Sequence, residues 1–279
     1  MTPPSTKEKL FDQFLISEYL KHGSIEKVFS IHKYDLPLSF ATYHRVLNKY
    51  GIVKSAGPNS KLSESLDVLS KLANYRLPLE RIYNQHAPTS IKVSTNTLHR
   101  MLHYVRLRVT RRLGTALLIT RQSEPDKFLL AQDKSLTQPK LGQPNDFSLP
   151  MTHSRMQDSP KQAISRVLQQ EVFTKETIDL SFPQDLNLND QKPLFYINIA
   201  DIKVAVFQIT IPDTYQNFSS FKLDHYQFLT PEEISKLKLR PGVWDILNEA
   251  TRQRFYPSSK PLVIDSSLNS LLYAWCSKI

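Results

Sequence analysis

Apolar side chains recur at helical spacing through the first hundred residues and at strand spacing afterwards, and this change of period divides the chain. Leu10, Phe11, Phe14, Leu15, Tyr19 and Leu20 fall on one face of a helix over 7–22, with Gly23 as a stop and Ser24 as the next N-cap. A short helix is expected over 25–33. Pro37 breaks the loop 34–38, and Ser39 caps a third helix that closes at Gly51. The same order returns over 66–76 and 79–86, with a break at Ala87-Pro88-Thr89 and a third helix from Ser94 to about Val105. Lys54-Ser55-Ala56-Gly57-Pro58-Asn59-Ser60-Lys61 reads as the linker between the copies.

The two third helices share a phrase, S-x-x-T-x-H-R-[VM]-L, beginning at Ser39 and again at Ser94, 55 residues later. Ile25-Glu26-Lys27-Val28-Phe29 and Leu79-Glu80-Arg81-Ile82-Tyr83 match upstream of each, so a whole helical unit is duplicated. Helix, short helix, turn, helix is the helix-turn-helix order, in which the third helix enters the major groove of double-stranded DNA. The candidate DNA-binding residues are Ser39, Thr42, Tyr43 and Arg45 in the first copy. In the second they are Ser94, Thr95, Asn96, Thr97, His99 and Arg100, with Asn96 suited to adenine. His44 and His99 fit local capping or packing equally well.

Charge supports this reading. The net charge is +10, and residues 1–112 hold 18 Lys/Arg against 8 Asp/Glu while the remainder holds 18 of each. A cationic excess confined to a helical region is the footprint of phosphate binding, although a solvated basic face or a protein-docking helical scaffold would carry it too. Arg106, Arg108, Arg111 and Arg112 follow the second copy, and their alternation with Leu107 and Val109 suits a basic strand or wing, or a basic connector.

Composition removes several classes. Six glycines leave no Gly-rich phosphate loop of the P-loop or dinucleotide type. The single cysteine, Cys276, cannot form an internal disulfide or by itself a Cys-based zinc site, no apolar run is long enough for a membrane span, and the first residues lack the apolar core of a secretory signal. A cytoplasmic protein is expected, with no membrane partner and an oligomeric state left open.

From Gly114 the period becomes that of strands: 115–119, 128–131, 194–200 and 203–211, with a polar loop from Gln132 to Asp146 and a helix from Ser159 to about Phe173. Leu149-Pro150 precedes a stretch in which Asp158, Ser159-Pro160, Ala163, Arg166, Leu168 and Glu171 align without a gap to the Nudix motif, G-x5-E-x7-R-E-U-x-E-E-x-G-U. Over about 113–250, including Phe228–Ile234 and Leu239-Arg240-Pro241-Gly242, the chain resembles the Nudix hydrolases. The departures are that Thr152 and Phe173 replace the motif glycines, and Val167 and Gln170 replace two of the helical glutamates.

The helical repeat and the resemblance together predict an α + α/β chain. An N-terminal all-α region of tandem helix-turn-helix units, 1–57 and 58–112, precedes a Nudix-like α/β/α sandwich with a mixed sheet over 113–279, ending in an apolar C-terminal helix that packs on it or forms a dimer contact. In the family, helical carboxylates hold Mg²⁺. Here Glu171 and Asp158 are the remaining metal and catalytic candidates, so no cofactor is required and Mg²⁺ enters only if the chain is hydrolytic. Arg166, Gln170, Glu171, Asp224 and His225 are the candidate ligand-binding residues, Arg166 implied as a support of the motif loop. His153 reads as an exposed loop residue or a phosphate contact, and Glu232 and Glu233 as the first turn of a helix capped at Thr230. The expected function is a DNA-binding regulator whose degenerate domain senses a nucleotide-like small molecule. The alternatives are a Mg²⁺-dependent hydrolase of a nucleoside diphosphate derivative and a helical protein-interaction scaffold.

Overall fold

The computed structural model describes residues 6–56, 62–75, 94–134, 146–256, 258 and 260–276. It opens with α1 (Thr6–His22), α2 (Ile25–Ile31) and α3 (Phe40–Lys49). Ser24 and Ser39 sit at the N-caps, where their hydroxyls accept from Lys27 N and Thr42 N, donors that the first helical turn cannot pair internally. The three helices enclose their own core of Leu15, Ile16, Val28, Tyr43 and Leu47, and Phe29 stacks on Phe40 with ring centroids 4.1 Å apart. Buried Asp12 joins α1 to the end of α3 by accepting from Lys49 Nζ at 2.9 Å and Tyr50 Oη at 2.8 Å.

Next come α4 (Leu62–Tyr75) and α5 (Thr95–Arg106), the latter capped by Ser94. The expected short helix at 79–86 and the break at 87–89 lie outside the described residues, as do 57–61 of the linker and most of the polar loop after Gln132. Leu66, Leu69, Leu72, Leu98 and Leu102 share one apolar cluster with Ala116 and Leu118 of the sheet. The core therefore runs across position 112, where the sequence pattern changes period.

The central sheet has the order β4-β1-β6-β5-β8, from β1 (Arg112–Arg121), β4 (Met151–Ser154), β5 (Phe195–Ile199), β6 (Ile202–Ile211) and β8 (Leu262–Asp265). β1 runs parallel to β6 over ten residues and antiparallel to β4. A smaller antiparallel sheet, β3-β2-β7, combines β2 (Phe128–Asp133), β3 (Phe147–Ser148) and β7 (Leu223–Leu229). β1 is buried from Gly114 to Thr120 because it has a roof on both faces. Its even positions Ala116 and Leu118 meet α4, α5, α9 (Val243–Phe255) and α10 (Ser267–Cys276), and its odd positions Leu117 and Ile119 meet α6 (Pro160–Glu171). This mixed sheet with helices on both faces forms an α/β/α sandwich. Short helices α7 (Thr174–Ile178) and α8 (Pro231–Ile234) complete it. Gly242 opens α9 at φ 88°, and a Cβ there would stand 2.4 Å from Ile199 Cδ1, so both backbone and space require glycine.

The C-terminal helix packs on α4 and α5 as well as on β5 and β8. Strand β8, unanticipated in the apolar pattern, adds an edge to the sheet beside β5. Among the described residues no helix is long and apolar enough to cross a membrane.

Candidate functional site

Helix α6 bears the motif and joins the two halves of the chain. Ser159 and Gln162 form a reciprocal capping box with Pro160 in the first turn, so the helix starts where local chemistry dictates. Arg166, 1% exposed, donates to both Asp158 oxygens at 2.6 and 2.8 Å and to the carbonyls of Lys54 and His153 at 2.7 and 3.4 Å. Burial disfavours the Asp158 carboxylate, but the Arg166 guanidinium and the Arg155 backbone N–H together hold its pKa below the usual range. Arg166 thus supports the loop before α6.

The next turn of α6 grips the segment that leaves α3. Gln169 Oε1 accepts from Val53 N at 2.9 Å while its Nε2 donates to Gly51 O at 2.9 Å. Gln170 Nε2 donates to Ser55 Oγ at 3.0 Å, and Arg155 Nη2 to Ser55 O at 2.7 Å. Tyr19 Oη accepts from Ser55 N at 2.8 Å. A side-chain amide offers a donor and an acceptor together, which is what a strip of backbone needs and a carboxylate lacks. Gln169 is a junction residue that the sequence reading missed. Its neutral neighbour Gln170, standing where the motif has glutamate, was the available signal.

The two candidate metal ligands do not form one site. Asp158 and Glu171 lie at opposite ends of α6, whose 12 residues span roughly 18 Å, and each is committed elsewhere. Asp158 is held by Arg166. Glu171 is buried, accepts from Met151 N at 2.7 Å and faces Lys222 Nζ at 3.6 Å. Burial pushes the Glu171 carboxyl up and the Lys222 ammonium down. Val167, at a motif glutamate position, is fully buried in the apolar cluster beside Leu117 and Ile119. The donor set on this helix therefore does not fit Mg²⁺, which wants several oxygen ligands, and among the described residues no three His, Cys, Asp or Glu side chains gather as a metal site.

The five ligand-binding candidates are likewise separated. Arg166, Gln170 and Glu171 are buried and engaged on α6, whereas half-exposed Asp224 pairs with Lys134 at 3.0 Å on β7 and His225 beside it is exposed. His153 is neither exposed nor on a loop: it lies buried on β4, where desolvation and nearby Arg112 lower its pKa to about 4 and leave the ring neutral. Glu232 and Glu233 occupy the first turn of α8, with Glu233 in a capping box at Thr230.

On α3, Ser39 serves as the cap and also hydrogen-bonds Thr42 Oγ1 at 3.0 Å, while Thr42 and Arg45 are exposed. Tyr43 has to be withdrawn from the DNA-binding set. It is 0% exposed, and its hydroxyl donates to Leu15 O at 2.6 Å, because its place on the helix faces the core. The second copy keeps the two core positions inside and the arginine outside. Leu98 stands at the Tyr43 place and Leu102 at the Leu47 place, both buried, with Arg100 exposed like Arg45. Asn96 and His99 are exposed, Thr97 is half-buried, and Ser94 is the cap. The side chain of Thr95 lies outside the description.

Between Arg106 and Arg111 the arginine run is a connector, and its last member, Arg112, begins β1. Helix α5 ends at Arg106, Arg108 takes a left-handed φ of 55°, and β1 begins at Arg112. Arg106 is exposed at the end of α5. Arg108 and Arg111 lie over the rings of Tyr273 and Tyr104, each 4.7 Å from the centroid. Arg112 forms a two-armed ion pair with Asp201, which removes it from the phosphate-binding set.

No family model and no curated protein matches the chain. Solved structures resemble its C-terminal half. A MutT protein from Methanosarcina mazei is 14% identical at a TM-score of 0.37, over 52% of this chain and 96% of that one. A Nudix hydrolase from Nitrosomonas europaea is 13% identical at 0.38, over 56% and 80%. An Ap4A hydrolase from C. elegans is 18% identical at 0.31, over 51% and 94%.

Proposed function

We propose that this chain is a regulator that binds double-stranded DNA through the duplicated helical units, with the Nudix-like domain as a non-hydrolytic partner. The observation that carries the reading is the burial pattern that the two third helices, α3 and α5, share. Each buries the residue before its His-Arg pair and exposes the arginine, at Arg45 and Arg100, in the half of the chain that holds the whole cationic excess. The exposed polar positions Thr42, Asn96 and His99 supply base-edge chemistry, and Arg45, Arg100 and Arg106 supply phosphate contacts.

Binding to duplex DNA at two salt concentrations tests this. The reading expects affinity to fall steeply with salt as condensed counterions are released. A shallow response, or no binding at low salt, sinks it and favours a protein-docking scaffold. The hydrolase alternative has to work with Glu171 as the one carboxylate on α6. Glu171→Gln decides it, because Mg²⁺-dependent release of phosphate from nucleoside diphosphate derivatives would be abolished under that alternative.

A further inference from the structure

A groove of about 510 Å³ opens between the two halves of the chain. One wall is Asn48 at the end of α3 with the backbone of 51–54, and the other is the loop after β4 with the first turns of α6. It lies on the N-terminal side of Arg166, away from Glu171 at the far end of the same helix. Four cations line it, Lys54, Arg155, Lys161 and Arg166, against a single carboxylate, Asp158. Arg166 takes both oxygens of that carboxylate. The side chains of Arg155 and Lys161 donate to neutral partners, the Ser55 carbonyl and the Asn189 amide oxygen.

The lining therefore carries three positive charges with no counter-charge in the groove. Walls of one sign focus the field and concentrate anions. A monovalent carboxylate would leave most of that charge uncompensated, whereas a phosphate or diphosphate group matches it, and Arg and Lys together are the side chains that bind such groups. The volume lies in the range that accommodates a small organic ligand beyond the anion itself.

We infer that this groove is a binding site for a small phosphate-bearing molecule, a phosphomonoester or diphosphate, which bridges the N-terminal unit and α6. This deepens the regulator reading and rests on it for the ligand's purpose, because a molecule touching both walls reports to α3 through Asn48, one turn beyond Arg45. The occupied groove adds charge-assisted contacts across the same junction that Gln169 and Gln170 hold.

The test is isothermal titration of the full chain with inorganic pyrophosphate and, separately, ADP, beside Lys161→Glu and Arg155→Gln. Lys161 is exposed, so its variant is expected to keep the wild-type Tm, and Lys161→Gln serves as a second variant that removes the charge without reversing it. Binding of either probe that weakens about tenfold or more in each variant supports the site. No binding to the wild type, or binding that none of the variants changes, overturns it. A loss of DNA affinity in Lys161→Glu with unchanged pyrophosphate binding also overturns it, because the groove would then track a duplex backbone. DNA binding is measured on the same samples, so the site and the regulator reading fail separately.

Discussion

Gln169 and Val53 are 116 positions apart, yet the amide oxygen of one accepts the backbone N–H of the other at 2.9 Å, beside the return bond from the same amide to Gly51 O. Gln169 is buried, so its donor cannot be replaced by water. Gln169→Glu keeps the acceptor and loses the donor, and is expected to cost about 1–3 kcal/mol. Urea unfolding of the two proteins measures it. An unchanged midpoint would mean that the segment after α3 is not held by this pair.

The ion pair between Arg166 and Asp158 is expected to weigh more. Asp158→Asn leaves a buried guanidinium without its counter-charge and should destabilise by about 3–5 kcal/mol at neutral pH. The sign with pH follows from the lowered carboxyl. Its contribution is complete above the ordinary aspartate value of 3.8 and is lost as pH falls through the folded value. The gap between variant and wild type should therefore narrow in acid, and a gap independent of pH would refute the assignment.

His153 sets a second pH window. Its folded pKa of about 4 lies below the ordinary 6.5, so the unfolded chain binds a proton that the folded one refuses. Stability is complete above pH 6.5 and is lost as pH falls toward 4, by about 3 kcal/mol for a shift of this size. Denaturation at a series of pH values should show this slope in wild type and a flatter one in His153→Gln.

Tyr43 and Arg45 are two residues apart and should separate cleanly. Tyr43→Phe removes the bond to Leu15 O, costs about 0.5–1.5 kcal/mol of stability, and leaves DNA affinity unchanged. Arg45→Ala together with Arg100→Ala leaves stability nearly unchanged and lowers the salt slope of DNA binding by about two. Affinity that follows Tyr43 instead would reverse the orientation of α3.

Local features were the ones readable in the chain. Ser24, Ser39, Ser94, Ser159 and Thr230 all cap helices, because a cap is decided by neighbours within three residues. The apolar run of β1 was readable as a strand but not as two roofs, since nothing near Leu117 and Leu118 names the helices that cover them. The run from Arg106 to Arg112 alternates like a strand over too few residues to outweigh the helix it continues, and the left-handed Arg108 then turns the chain. The carboxylates of Asp158 and Glu171 were visible as chemistry. Their partners Arg155, Lys222 and Met151 come from separate elements, so how each carboxylate is engaged was not.

The grip of α6 on residues 51–55 also determines how hard this helix would be to convert. Val167→Glu would force a charge among Leu117, Ile119 and Leu168, and Gln170→Glu would give up the donor that Ser55 receives. Each step toward a cluster of carboxylates loosens the junction before any ion is there to compensate. Directed selection for hydrolysis would thus start uphill and would have to free the segment after α3 first, which makes the present surface behave as a ratchet.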